Sequence, residues 1–302
     1  MSELNPQDAR LPVVSLVTPC LNFGHFIEET LHSVAMQDYP NIEHIVVDGG
    51  STDGTLEILA RHPNVTVLTG GDRGAADAIN RGFDHSRGEF FTWLNADDLL
   101  LPGAIRAAVE AFQQAPEAGA VYGEAWWIDE HGARLDRYPT RDFDAHLLER
   151  ECFICQPASL MRSEAFRDTG RLNPDFDLTF DYELWMRFTR KYALKRIPAP
   201  MAYSRMHRWN KSLGQRDGVF RETFHVLQRH YGYVPFQWIY AYACYRADKR
   251  DQFFEPLRPS IARYLQSLPM GMALNGGSRM RYFAEWFSVM SWAGLRRRLI
   301  NP

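Results

Sequence analysis

Val13-Val14-Ser15-Leu16-Val17 is a short, β-branched, almost wholly apolar run. That is the pattern of a strand covered on both faces in a parallel sheet. Phe26, Ile27, Thr30, Leu31 and Val34 follow at helical spacing and predict a helix over 26–36. The alternation then repeats, with strands expected at 42–47, 65–68 and 90–94 and helices at 55–61 and 75–83. Strands and helices alternating at this pitch predict an α/β fold of βαβ units, a doubly wound and mostly parallel sheet. Pro102 opens a further helix to about Gln114, Val121 to Ile128 reads as a strand, and Asp129 to Gly132 as a turn. Beyond Gln156 the pattern is mixed, with a strong helix only over 181–191. From about Gln215 onward every convincing segment is helical. The expected organisation is a domain over 1–214, its halves meeting near 120, and a helical C-terminal extension over 215–302.

A chain of 302 residues with 45% hydrophobic and 24% charged residues can bury a large core, which excludes disordered, collagen-like and coiled-coil proteins. The net charge of -3 argues against a nucleic-acid partner. The charge is unevenly spread, however. Residues 205–302 hold 16 Lys+Arg against 6 Asp+Glu, and residues 1–204 hold 18 against 31. An acidic front suits a cation, and a basic back suits an anionic surface such as a membrane. Four cysteines are too few for a disulfide scaffold and point to a reducing, cytoplasmic compartment. Cys152 and Cys155 have metal-like spacing but lack a second pair of ligands, so they read as core thiols. No apolar run is long enough to span a membrane, and the polar N-terminus has no signal-peptide core.

Three strand ends carry unusual chemistry, and in open α/β sheets ligands bind there. Thr18-Pro19-Cys20-Leu21-Asn22 follows the first strand. Asp48-Gly49-Gly50-Ser51-Thr52-Asp53-Gly54-Thr55 follows the second. Its glycines let a ligand approach the backbone, and Asp53 reads as a turn cap. Asp48 ends a buried strand, where a charge is costly without a partner, so ligand contact is expected of it. Asn95-Ala96-Asp97-Asp98 follows the fourth strand, after Phe90-Phe91-Thr92-Trp93-Leu94 has driven into the core. Hard divalent cations such as Mg²⁺ or Mn²⁺ take oxygen ligands, often one or two carboxylates with substrate phosphates.

Together these loops resemble the family 2 glycosyltransferases, inverting enzymes of the GT-A fold, in the manner of those that build bacterial surface polysaccharides. The stretches that carry the resemblance are Val14 to Asn22, Ile45 to Thr55, Gly71 to Asp98 and Phe180 to Arg187. It implies a nucleotide pocket lined by Thr18, Pro19 and Asp48. Asp72, Arg73, Asp77 and Asn80 would flank the nucleotide and donor sugar. Asn95-Ala96-Asp97 falls on the family's Asp-X-Asp motif, which makes Asp97 a metal ligand, Asp98 a neighbour of donor or metal, and the cofactor Mn²⁺ or Mg²⁺. Asp181 matches the catalytic carboxylate. His207 stands where relatives place a histidine near the diphosphate or metal, with Arg205 beside it. Three positions depart from the pattern: Gly49 replaces a second Asp that contacts the base, Asn95 replaces the first Asp of Asp-X-Asp, and Phe180 replaces a frequent Glu.

The implied reaction moves a sugar from a UDP-, GDP- or dTDP-sugar to a hydroxyl of a glycan or a lipid-linked acceptor, with Asp181 as general base. An apolar surround from Phe180, Leu184, Trp185 and Phe188 would raise its pKa toward a useful value. Glu183 reads as solvated. Trp126 and Trp127 are candidates for a sugar-stacking surface. Two other readings stay open: a nucleotidyltransferase that makes nucleotide sugars, and a non-catalytic sugar- or nucleotide-binding module. The first usually has a Gly-rich, basic loop after its first strand, where Thr18 to Asn22 has neither. Tyr282, Phe283, Trp286, Phe287, Val289, Met290 and Ala293 fall on one side of a last helix ahead of Arg296-Arg297-Arg298. Such a segment, over 280–300, could lie in an anionic membrane interface at the inner face of the cytoplasmic membrane.

Overall fold

The computed structural model describes residues 11–249 and 259–290. The chain divides into two compact units, residues 1–145 with 152–207, and residues 146–151 with 208–302. The expected boundary at 214 falls a few residues beyond this break.

The first unit is built on one nine-stranded sheet. Strand β1 (Val14–Cys20) is buried at every position, as its apolar run predicts. Helix α1 (Ile27–Ala35) buries Ile27, Thr30, Leu31 and Val34, the i, i+3, i+4, i+7 stripe that faces a sheet. Strand β2 (Ile42–Asp48), helix α2 (Thr55–Leu59), strand β3 (Thr66–Thr69), helix α3 (Ala75–Asp84) and strand β4 (Phe90–Trp93) complete the alternation. These four strands pair in parallel in the order β3-β2-β1-β4. β4 therefore follows β3 in the chain but lies beside β1, and the β1/β4 boundary is the switch point where the crossovers reverse.

The other half of the sheet is mixed. A two-residue strand β5 (Leu99–Leu100) precedes helix α4 (Ala104–Gln114), after which come β6 (Ala118–Ile128), the hairpin strand β7 (Arg134–Arg137), β8 (Ser159–Arg162) and helix α5 (Ser163–Thr169). Helix α6 (Phe180–Phe188) and the long strand β9 (Ala193–Arg205) close the unit. β8 runs antiparallel to both β4 and β6, while β9 runs parallel to β6. The core lies under β1, β4, β6 and α4, with Phe90 stacked on Phe112 at 4.5 Å. α3 lies tight on β1, because a Cβ at Gly82 would come within 2.5 Å of Val17.

The second unit is helical, with α7 (Lys211–Gly214), α8 (Arg216–Tyr231), α9 (Phe236–Asp248), α10 (Ile261–Leu274) and α11 (Arg279–Met290). Tyr264 stacks on Trp286 at 4.3 Å, and Tyr282 is fully buried with its hydroxyl donating to Ser267 O at 2.9 Å. The apolar side of the last helix is thus divided. Tyr282 turns inward, whereas Met280, Phe283 and Phe287 are exposed. The Arg296-Arg297-Arg298 run and Ala293 lie outside the described residues, as does the side chain of Met290.

Candidate functional site

The loops after β1 and β2 are tied into one piece. Asn22 adopts a left-handed φ of 60°, its N–H donates to Ser51 Oγ at 2.8 Å, and its Oδ1 accepts from Thr52 N at 2.8 Å. Asp53 accepts from Gly24 N at 2.9 Å and from the Thr55 hydroxyl at 2.5 Å, the capping role expected of it. Burial pushes its pKa up, but these hydrogen bonds outweigh it and hold the carboxyl below its usual value.

The buried polar groups here are satisfied within the fold. Asp48 is fully buried; its oxygens accept from Gly50 N at 2.9 Å, Ser51 N at 2.8 Å and Ser51 Oγ at 2.6 Å. Donors of its own loop answer the cost of its burial. Thr18, also fully buried, pairs through Oγ1 with His44 Nε2 at 2.9 Å, and Pro19 is buried with its strand. Sequence reasoning missed His44; the available signal was a lone imidazole in an apolar strand. Asn80 brackets the backbone of Leu172, donating to its O at 2.8 Å and accepting from its N at 3.0 Å.

At the start of α3, Asp72, Arg73 and Asp77 stand closer to solvent. Asp72 Oδ1 accepts from Gly74 N at 3.1 Å, and Asp77 Oδ2 accepts from Arg73 N at 3.1 Å. The guanidinium of Arg73 is 76% exposed and lies 3.5 Å from Asp77, a contact too open to contribute much stability.

The loop after β4 is held from two sides. The Thr30 hydroxyl of α1 lies 2.9 Å from Ala96 O and 3.0 Å from Asp98 O. Asp98 accepts from the backbone N–H of Arg205 at 2.9 Å and from Asn95 Nδ2 at 3.0 Å. Burial raises the Asp98 pKa well above the carboxylate range, and the Asp97 charge adds to it. The Arg205 side chain is wholly buried. It donates to Asp97 O at 2.9 Å and pairs with Glu29 at 2.6 Å, with its guanidinium 4.9 Å over the Phe26 ring. Asp98 and Arg205 therefore brace this loop against β9. The brace delivers His207, whose Nε2 lies 2.9 Å from Asp97 Oδ2 with both side chains buried. Asp97 and His207 were paired as metal ligands in the reading of the sequence, and the fold brings them together.

Among the described residues no group of three His, Cys, Asp or Glu side chains is placed to hold a metal ion. The Asp97 carboxylate and His207 imidazole form a set of two. Such a pair fits Mn²⁺ or Mg²⁺ when substrate phosphate oxygens complete the shell.

Asp181 occupies the first turn of α6 and is half-buried, with Oδ1 accepting from Tyr182 N at 2.8 Å. Its neighbour Phe180 is buried 6.2 Å from Trp93, the last residue of β4. Burial raises the Cys155 thiol well above its usual pKa, and the charges of Asp98 and Asp181 both add to the rise. The two carboxylates thus act on one buried sulfur. Cys20 makes a similar link on the other side, its thiol pushed up to about 12 by burial and then by Asp48, Asp53 and Asp97. All four cysteines are free. Glu183 is buried rather than solvated. Its Oε1 accepts from Arg187 Nε at 2.8 Å, and that guanidinium clamps Thr169 O and Gly170 O, each at 2.8 Å. Trp127 packs in the core 5.2 Å from Tyr138, and the half-buried Trp126 carries the Arg134 guanidinium 4.6 Å over its ring.

Residues 15–170 match the model of glycosyl transferase family 2. A protein of Rickettsia typhi described as an uncharacterized glycosyltransferase is 28% identical over 215 residues, 67% of this chain and 66% of its own length. Chondroitin synthase of Escherichia coli is 26% identical over 227 residues, 72% of this chain and 32% of its own. The chain spans 66% of one such relative's length but 35%, 34% and 16% of others. Among solved structures, residues 1–349 of S. aureus TarS in complex with UDP-GlcNAc superpose with a TM-score of 0.59 at 15% identity, covering 95% of this chain and 92% of that one. The architecture, a mostly parallel sheet with C-terminal helices, is of the GT-A type.

Proposed function

The chain belongs to glycosyl transferase family 2, and from that premise we propose that it moves a sugar from a nucleotide-diphosphate sugar to a hydroxyl of a glycan or lipid-linked acceptor with inversion at the anomeric carbon. The observation that carries the reading is the match of residues 15–170 to glycosyl transferase family 2, with the Asp97–His207 pair standing in the loop after β4. Asp181 takes the proton of the acceptor hydroxyl as its oxygen bonds to C1 of the donor. The C1–O bond to the nucleoside diphosphate breaks in the same step, and the bonding electrons leave with the diphosphate. A single displacement converts an α-linked donor to a β-linked product. Asp97 and His207 would hold Mn²⁺ or Mg²⁺, which would supply positive charge to offset that of the departing diphosphate. Asn95 offers an amide where a second carboxylate would repel phosphate, and Arg73 and Asp77 flank the donor at the mouth of α3. The chain's relatives include a chondroitin synthase, which supports a polysaccharide as product.

The test is Asp181→Asn in the full chain. Transfer to acceptor should fall by about a thousandfold, within the range of lost general-base catalysis. UDP binding with Mn²⁺, measured by calorimetry, should stay within about twofold of the parent. Full transfer by the variant would remove Asp181 from the mechanism, and a parent that binds nucleotide without any transfer would favour a binding module.

A peripheral membrane position at the inner face of the cytoplasmic membrane completes the reading. Among the described residues no helix is long and apolar enough to cross a membrane. The second unit does expose Ile261 and Leu265 of α10 and Met280, Phe283 and Phe287 of α11, with Arg279 and Arg281 on the same helix as the last three. Apolar side chains beside cations suit an anionic interface.

A further inference from the structure

The C-terminal end of β6 is flanked by β9 on one edge and by the hairpin strand β7 on the other. Trp126 stands opposite Tyr203 of β9, while Arg134 of β7, opposite Ile128, reaches diagonally back to both rings. Its guanidinium lies 4.6 Å over the Trp126 ring and 5.6 Å from the Tyr203 ring centre, and Nη2 donates to the Tyr203 hydroxyl oxygen at 3.1 Å. The two rings meet edge to face at 6.4 Å. Adjacent strands thus hold one cation on an aromatic floor, and stacking of this kind fixes the planar fork of an arginine. Arg134 is exposed, yet no carboxylate pairs with it among the described residues. Glu124, two residues back along β6, is taken by Arg137 and Arg196. Asp136 stands opposite the buried Trp127, on the other face of the ladder, and Asp129 caps its own turn by accepting from His131 N and Ala133 N. Residues 1–204 hold 31 Asp+Glu against 18 Lys+Arg, so the missing counter-ion does not reflect a shortage of acids.

The strand directions put this floor at the edge of the sheet that carries Asp97. β8 runs antiparallel to both β4 and β6, so β6 and β9 point the same way as β4 and end on the same side. Arg205 ties the two places together, donating to Asp97 O at 2.9 Å and to Glu130 O of the β6–β7 turn at 3.2 Å. From Leu99, which faces Tyr203 across β5 and β9, to Arg134 is three strand spacings, roughly 14 Å. An oligosaccharide spans that distance and a single sugar does not. We propose that Arg134, Trp126 and Tyr203 form an acceptor subsite for an acidic sugar, a hexuronic acid whose ring lies on the aromatic floor while its carboxylate takes N–H groups of the Arg134 fork. This rests on the reading of the chain as a sugar transferase and names the class of acceptor. A planar carboxylate accepts from the guanidinium edge in the plane in which the rings hold it. A phosphate would suit the same fork, but the aromatic floor beside it is suited to the apolar face of a sugar ring, which favours the uronic acid.

The test is an array of oligosaccharides ending in glucuronic or galacturonic acid, each beside a counterpart whose carboxylate is reduced to an alcohol, together with phosphorylated glycans. The full chain is applied with Mn²⁺ and a mixture of UDP, dTDP and GDP. At least one acidic glycan should bind about tenfold or more tighter than its reduced counterpart, the worth of a hydrogen bond to a charged group. Arg134→Gln, a change to an exposed side chain, should bring that pair within about threefold of each other by weakening the acidic member. Trp126→Ala should weaken the acidic and the reduced glycan together. A parent that does not distinguish acidic glycans from their reduced counterparts overturns the assignment, as does an Arg134→Gln protein that keeps the parent's preference. Unchanged binding of both glycans by Trp126→Ala overturns it too. A phosphorylated glycan bound more tightly than every uronic acid makes the site one for phosphate and overturns the acidic-sugar assignment. A parent that binds no glycan but still consumes a nucleotide sugar overturns the subsite and leaves sugar transfer standing, whereas a parent that does neither overturns both.

Discussion

Asp48 ends β2 and Asp97 lies in the loop after β4, both buried, yet they meet the cost of burial differently. Asp48 is surrounded by donors of its own loop, and Asp97 faces an imidazole from more than a hundred residues away. Nothing within either local sequence separates the two, because the deciding partner is tertiary. The same holds for Thr18, Asn80 and Arg205, whose residue types suit a ligand but whose atoms are taken by His44, Leu172 and Glu29. The nearness of Asp97 and His207 was legible because a family pattern carries both positions, and the role given to Asp181 rests on that pattern alone. His44 makes a prediction of its own. Burial, with the His62 charge, lowers its pKa from 6.5 to about 3. The unfolded chain therefore binds the extra proton between those values, so His44 contributes stability above pH 6.5 that is lost as the pH falls toward 3. Urea unfolding at pH 7 and pH 5 should show the parent losing about 2 kcal/mol more than His44→Gln over that interval. Equal losses would mean that His44 is protonated in the native protein.

At the scale of elements, the parallel half of the sheet could be read from periodicity because each strand is apolar and each helix has one buried stripe. β8 and β9 could not. β9 alternates irregularly between buried and exposed positions and contains Pro198 and Pro200, residues that argue against a central strand. Its pairing with β6 shifts register between Tyr122 and Ala125, which accommodates Pro200 opposite Glu124. Tertiary pairing has overridden local preference there. α3 packs closely on β1 at Gly82. Gly82→Ala forces a methyl against Val17, and overpacking of this kind costs about 1–3 kcal/mol. An unfolding free energy in urea equal to the parent's would show that α3 can move outward freely.

For the whole molecule, the uneven charge and the apolar side chains of the helical unit belong together. The basic back of the sequence holds the helices that expose Ile261, Leu265, Phe283 and Phe287. Phe283→Ser with Phe287→Ser should reduce sedimentation of the full chain with anionic phosphatidylglycerol vesicles by about tenfold, while neutral phosphatidylcholine vesicles recover little of either protein. Equal recovery of parent and variant on anionic vesicles would dismiss this face as a membrane contact.

The bracing of the β4 loop by β9 has a consequence for biosynthesis. His207 is contributed by the residue stretch that finishes the first unit, and the anchor for Asp98 is the backbone of Arg205 in the last strand of the sheet. A nascent chain that has emerged only as far as residue 170 already contains the whole stretch matched by the family, but it lacks Asp181, His207 and the strand that steadies the acidic loop. Ribosome-bound intermediates would therefore acquire the parallel half-sheet well before β9 docks, and only then would the Asp97–His207 pair be complete.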